Sequence, residues 1–141
     1  MRPKVDPKVT HVAVAILKNN NGEFLLASRP AGKPWAGWWE FPGGKIESNE
    51  TKRDALKREL QEELEMEVKI EYFFGKSNHD YGSFQIELFG YVCSLVNYSG
   101  KLIDHDAYKW VDFESLSNYK LAPADIPFIQ MIKQMSFKSM Y

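Results

Sequence analysis

Between Phe41 and Met66 the chain reads FPGGKIESNETKRDALKRELQEELEM, with Glu47, Glu50, Asp54, Glu59, Glu62, Glu63 and Glu65 crowded around three leucines spaced four apart. On a helical wheel at about 100° per residue, with Ala55 at zero, Leu56, Leu60 and Leu64 fall at about 100°, about 140° and about 180°. That narrow stripe has to face a core. Glu59, Glu62 and Glu63 share one arc of about 100° that borders the stripe rather than lying opposite it. Their i, i+3 and i+4 spacing makes the side chains neighbours, and like charges so placed repel. One resolution is a solvated acidic face balanced by Lys52, Arg53, Lys57 and Arg58. The other is a bound cation. Gly43 and Gly44, just ahead of the helix, allow φ > 0 and close backbone approach. Carboxylates with a main-chain carbonyl form an all-oxygen site of the kind Mg²⁺ or Mn²⁺ prefers, and such ions usually also hold substrate phosphates. The chemistry that these residues point to is metal-dependent chemistry on phosphates.

The elements around this helix follow from local pattern. THVAVAILK (Thr10 to Lys18) is a continuous β-branched run, expected as a strand buried on both faces. NNNG is a hairpin signal, and EFLLASR should return as its partner strand. PAGKPWAGW is a surface loop, and WEF a short strand leading into the Gly-Gly turn. The helix is expected from about Thr51 to Leu64, with Ser48 or Asn49 as caps. EVKIEYFFGKS and FQIELFGYVCSLV read as two longer strands, YKWVDF as a short one, ESLSNY as a helical turn, and APADIPFIQMIKQM as a closing helix entered through Pro123. Mixed strands with a central and a terminal helix make an α/β layered domain without strict βαβ repetition.

Composition sets the outer bounds. A chain of 141 residues, 44% hydrophobic and 26% charged, fits one compact domain over 1–141. A net charge of −1 gives no general attraction to nucleic acid or to an anionic membrane. Cys93, the one cysteine, cannot form an intrachain disulfide, and with three histidines it does not make a standard zinc site. No apolar run approaches the roughly 20 residues of a membrane span, and the N-terminal segment lacks the pattern of a leader. The expectation is a cytoplasmic protein, a monomer or homodimer, with no nucleic-acid or membrane partner.

GKIESNETKRDALKRELQEELEM, from Gly44 to Met66, resembles the signature of the Nudix hydrolases, G-x5-E-x7-R-E-U-x-E-E-x-G-U with U aliphatic. Gly44, Glu50, Arg58, Glu59, Leu60, Glu62, Glu63 and Met66 match in register, and the sole departure is Glu65 where the family has glycine. ASRPAGKPWAGWWEFPGGKIE, DHDAYKWV and LAPADIP extend the resemblance to the MutT branch, including relatives that act on cytidine nucleotides. The resemblance implies an α/β/α sandwich with a mixed sheet between helices. It implies Glu59, Glu62 and Glu63 as Mg²⁺ (or Mn²⁺) ligands assisted by the Gly43 carbonyl, with one of the three glutamates as general base. Arg58 would orient the carboxylates, and Glu50 would join the metal and water network or serve structure near the helix start. Asp104, or its neighbour Asp106, stands where relatives carry a further loop carboxylate, although a polar loop explains it equally. Arg29 and Lys45 match phosphate-facing bases, with a surface ion pair as the alternative for Arg29.

Asp125 matches the position that reads the base edge. There an ionised aspartate can only accept, whereas a buried protonated one both donates and accepts. The same residue also suits a helix N-cap. Trp35, Trp38, Trp39, Tyr81 and Phe84 could stack on a base or simply anchor core and loops. His11, His79 and His105 have no assigned role. At Glu65 a left-handed helix end is expected, at a cost of roughly 1 kcal/mol for a non-glycine residue. The activity implied is hydrolysis of nucleoside triphosphates such as 8-oxo-dGTP to monophosphate and pyrophosphate. CTP or 5-methyl-dCTP, another nucleoside diphosphate derivative, or a non-catalytic nucleotide-binding module are the alternatives.

Overall fold

The computed structural model describes residues 8–32, 35–98 and 108–139. Strand β1 (Val9–Leu17) lies at the centre, with β2 (Glu23–Ser28), β3 (Trp39–Glu40), β4 (Gly43–Lys45), helix α1 (Lys52–Leu64), β5 (Met66–Asp80), β6 (Gln85–Tyr98), β7 (Tyr108–Asp112), a 3-10 helix (Phe113–Asn118) and helix α2 (Ile126–Ser139) following in order. One sheet is mixed, in the order β4-β1-β6-β5, with β1 and β6 parallel. The second is antiparallel, in the order β3-β2-β7.

The apolar run of β1 divides by the period-2 rule. Ala13, Ala15 and Leu17 pack under α1 with Leu56, Leu60 and Leu64. Val14 and Ile16 face the other way, into a core shared with Phe41, Leu88 and, from α2, Phe128 and Ile132. Helices therefore cover both faces, the expected α/β/α layering.

Three local expectations are corrected. β2 does not return along β1: the turn at Asn19–Gly22 is followed by a single bridge, Lys18 to Phe24, before the strands diverge into different sheets. Residues on both faces of β1 are already buried, and its two edges are taken by β4 and β6. The Gly-Gly segment is not a turn but strand β4, paired antiparallel with β1 through Val14↔Gly43 and Ala13↔Gly44. Finally, α1 is capped by Thr51, whose hydroxyl accepts from the Asp54 amide, rather than by Ser48 or Asn49. The expected left-handed residue is present: Glu65, at φ 51 and ψ 38, closes α1 with its amide donating to the Leu60 and Gln61 carbonyls.

Candidate functional site

Helix α1 and strand β4 meet where the acidic arc borders the buried stripe. Gly44 matters here for space and not for φ, since neither Gly43 nor Gly44 has a positive φ. A Cβ on Gly44 would lie 2.2 Å from Glu59 Cδ, and one on Gly43 would lie 2.0 Å from the Ala13 carbonyl oxygen. Gly43 thus admits β1, and Gly44 admits the Glu59 carboxylate.

Arg58 organises the acids. Its Nε and Nη2 donate to the two oxygens of Glu50 at 2.6 and 2.8 Å, and its Nη1 donates to Glu59 at 3.0 Å and to Glu62 at 3.3 Å. Nη2 also donates to the Lys45 carbonyl at 3.2 Å, tying the helix to β4. The bidentate bond from Arg58 holds the Glu50 carboxyl below the usual range, and Glu50 in turn raises the guanidinium. Glu50 is therefore engaged as an anchor of this network.

Glu63 lies on the other side of Glu59, away from the arginine. The residue is solvent-accessible as a whole, yet its carboxyl is pushed up to about 7, first by desolvation and then by the charge of Glu59, with Glu40 adding to the effect. Tyr108 donates to it at 3.4 Å and partly opposes the shift. Two carboxylates side by side, one of them held toward its acid form by desolvation and by its neighbour's charge, are what a hard divalent cation would relieve. The donor set is all oxygen, and Glu59 already fills the cradle over Gly44. The residues fit a divalent cation, but among the described residues no three acidic, histidine or cysteine side chains are gathered as a ready-made metal cluster. Glu62 stands apart from Glu59 and Glu63: it is 61% exposed and held by the 3.3 Å bond to Arg58. Asp104 and Asp106 lie outside the described residues.

Arg29 and Glu40 connect this end to a second one. Arg29 Nη1 donates to Glu40 Oε2 at 2.9 Å, both side chains partly buried. Arg29 thus has an acid partner, the alternative its sequence position left open, but that partner is partly buried. Glu40 was missed from sequence; its charge bears on Glu63, Tyr81 and Asp125 alike. The available signal was a lone carboxylate inside the aromatic WEF strand. Lys45 is exposed at the end of β4.

Asp125 is buried, and its Oδ1 accepts from the Phe41 amide at 3.0 Å. Its carboxylate reaches across to β3–β4 in place of an ordinary N-cap bond, while its carbonyl accepts the Phe128 amide at the start of α2. Two backbone bonds set this reach: Trp39 N–H donates to the Lys120 carbonyl, and Ala122 N–H to the Trp39 carbonyl, both at 2.8 Å. Ser77 and Tyr81 hold the neighbouring Ala124, the first by donating to its carbonyl at 2.6 Å, the second by accepting its amide at 3.4 Å. Burial, with the nearby charge of Glu40, raises the Asp125 carboxyl well above its ordinary value. An open cavity of about 530 Å³ beside the N-terminus of α1 shares only Glu50 with these residues, and there Lys52 and Arg53 already lie over the rings of Phe89 and Tyr91.

The NUDIX domain profile matches residues 13–131. The chain is 37% identical over 123 residues to a CTP pyrophosphohydrolase of Escherichia coli, covering 87% of this chain and 90% of that protein. It is 31% identical over 131 residues to an 8-oxo-dGTP diphosphatase of Haemophilus influenzae, covering 91% and 94%. The solution structure of the E. coli ORF135 protein superposes with a TM-score of 0.76 at 34% identity over 96% of each chain. With the acid–arginine helix in register, the glycine cradle in place and this breadth of similarity, the chain belongs to the Nudix hydrolases, in their MutT-like branch.

Proposed function

We propose that this chain, acting as one domain, hydrolyses a nucleoside triphosphate to the monophosphate and pyrophosphate, with 8-oxo-dGTP as its first substrate. The observation that carries the reading is the span of the site. A pair of carboxylates at Glu59 and Glu63 lies at one end and a buried acid at Asp125 at the other, with Glu40 electrostatically coupled to Glu63 and Asp125. Such a span suits a triphosphate at the first end and a base edge at the second.

Members of the family use divalent metal ions, and Mg²⁺, with Mn²⁺ as the alternative, is the ion proposed for Glu59, Glu62, Glu63 and the Gly43 carbonyl. When bound it would supply neutralisation of phosphate charge and a more acidic water. The chain's own residues do the rest. Arg58 fixes Glu59 through the 3.0 Å bond and keeps Glu50 out of competition. One of Glu59, Glu62 or Glu63 takes the proton of the attacking water as its oxygen bonds to phosphorus and the α–β anhydride bond breaks toward pyrophosphate. Lys45, exposed beside the cradle, and Arg29 meet phosphate oxygens as point charge and fork.

At the base end, burial raises the Asp125 carboxyl, and in its neutral form it would donate one hydrogen bond and accept another. The Hoogsteen edge of 8-oxoguanine offers a matching N7–H donor and O6 acceptor, whereas that of guanine offers two acceptors, so the site should reject dGTP. Cytosine also presents a donor and an acceptor, N4–H and N3, and the similarity to a CTP pyrophosphohydrolase favours that second reading. The test is Mg²⁺-dependent product release from 8-oxo-dGTP, dGTP, CTP, 5-methyl-dCTP and a nucleotide sugar. Turnover of 8-oxo-dGTP well above dGTP is expected; preference for CTP would transfer the assignment to cytidine nucleotides. Silence across the panel would overturn the enzymatic reading in favour of a nucleotide-binding module.

A further inference from the structure

We infer that Trp35 and Tyr81 form a stacking wall for the nucleobase, one that sets affinity for nucleotides in general while Asp125 sets the choice among them. The inference rests on the reading that this site takes nucleotides.

Trp35 is 38% exposed and has φ 64, a left-handed backbone conformation that residues other than glycine seldom adopt. Glycines stand nearby at Gly32 and Gly37, both at positive φ, yet the other left-handed position among the described residues of this loop carries the largest side chain. A left-handed backbone held at an exposed aromatic, away from any helix end, points to a role beyond chain reversal. Loop closure does not need the indole. The Arg29 amide donates to the Trp38 carbonyl at 2.8 Å, the Gly37 amide to the Arg29 carbonyl at 3.0 Å, and the Trp38 amide to the Trp35 carbonyl at 3.0 Å.

What the indole does touch leads toward the base end. It meets Tyr81 edge-on at 5.5 Å and Trp38 at 4.7 Å. Lys120 already lies over the Trp38 ring at 4.2 Å, so Trp38 is the covered member and Trp35 the exposed one. Tyr81 is braced by Phe84, stacked at 5.2 Å, and its hydroxyl accepts the amide of Ala124, the residue before Asp125. The aromatic pair therefore runs from the loop to the turn that presents the base-edge acid. Every base has a π-face, so stacking is tolerant of base identity, whereas the hydrogen bonds of Asp125 are not.

The test compares wild type with Trp35→Leu, Trp35→Phe and Tyr81→Leu. Substrates are 8-oxo-dGTP, CTP and inorganic triphosphate, the last lacking a base; intrinsic tryptophan fluorescence follows nucleotide binding directly. Trp35→Leu should raise KM about tenfold, by the same factor for both nucleotides, while kcat holds and the interaction with inorganic triphosphate is unchanged. Trp35→Phe should recover most of the loss, and nucleotide-dependent quenching should fall when Trp35 is replaced. A wild-type KM in Trp35→Leu would overturn the wall, as would an equal loss toward inorganic triphosphate. A lowered Tm with unchanged KM would mark Trp35 as a loop anchor and overturn it too. If wild type turns over neither nucleotide but is quenched by them through Trp35, the enzymatic reading fails and the wall stands; absence of quenching overturns the wall.

Discussion

Replacing Gly44 by alanine places a methyl carbon 2.2 Å from Glu59 Cδ and 2.6 Å from each carboxylate oxygen. Ordinary contact begins near 3.4 Å, so the carboxylate has to withdraw by more than an ångström. Glu59 is the end of a flexible side chain and can do so without moving the helix. A misplacement of roughly 1 Å at a reacting centre costs about 10²-fold in rate, or about 2.7 kcal/mol of activation free energy. Gly43→Ala meets a different obstacle, the Ala13 carbonyl oxygen at 2.0 Å and Val14 Cα at 2.8 Å. These are backbone atoms of β1, and β4 must shift away from its ladder to relieve them. Overpacking of this kind costs about 1–3 kcal/mol, a fall in Tm of roughly 3–10 °C. Neither glycine has a positive φ, so alanine adds no conformational penalty that would blur the comparison. Thermal melting with and without Mg²⁺, beside kcat for the best nucleotide, reads both effects. Gly44→Ala should melt like wild type and turn over about a hundredfold more slowly, while Gly43→Ala should melt early. Wild-type turnover in Gly44→Ala would refute the role given to the cradle and to Glu59.

Glu62→Gln should lower kcat by roughly a hundredfold or more while leaving Tm almost unmoved, because the side chain is 61% exposed; wild-type kinetics would remove Glu62 from the proposed metal set. Glu63, raised to about 7 from an ordinary value of 4.5, contributes stability below pH 4.5 that is lost as pH rises toward and through 7. Saturating Mg²⁺ should cancel that loss, and Glu63→Gln should abolish it, in melts taken across this window; a metal-independent profile would contradict the site. Glu65→Gly should stabilise the fold by about 0.5–1 kcal/mol, a rise of a few degrees in Tm, because φ 51 is a conformation that glycine adopts freely; a lower Tm would contradict the left-handed account.

Much of the active helix was legible in one dimension because its determinants are periodic. Leu56, Leu60 and Leu64 recur every four residues, and the angle between that stripe and Glu59 and Glu63 is fixed by the helix alone. The two-faced burial of β1 was readable from its unbroken apolar run, and the left-handed end at Glu65 from the glycine that the family has at that position. The register of Gly44, Glu50, Arg58, Glu59, Glu62 and Glu63 likewise needed no fold to be seen.

Pairing across the chain was not legible. NNNG is a hairpin signal, but the two edges of β1 went to β4 and β6, and β2 joined a different sheet. The glycine pair suggested unusual dihedrals, and only the approach of Ala13 and Glu59 revealed that space was the requirement. Asp125 suited both a helix cap and a base reader in sequence, and only the fold shows its carboxylate meeting the amide of Phe41, 84 positions earlier. The charge of Glu40 reaches Glu63 and Asp125 together because β3 threads between β2 and the segment before α2. The carboxylates and the arginine proposed for cation binding and catalysis were set by primary structure, since they share one helix. Which residues face them, and how the base end is built, depended on contacts between segments far apart in the chain, and these exist only once both sheets and both helices have packed.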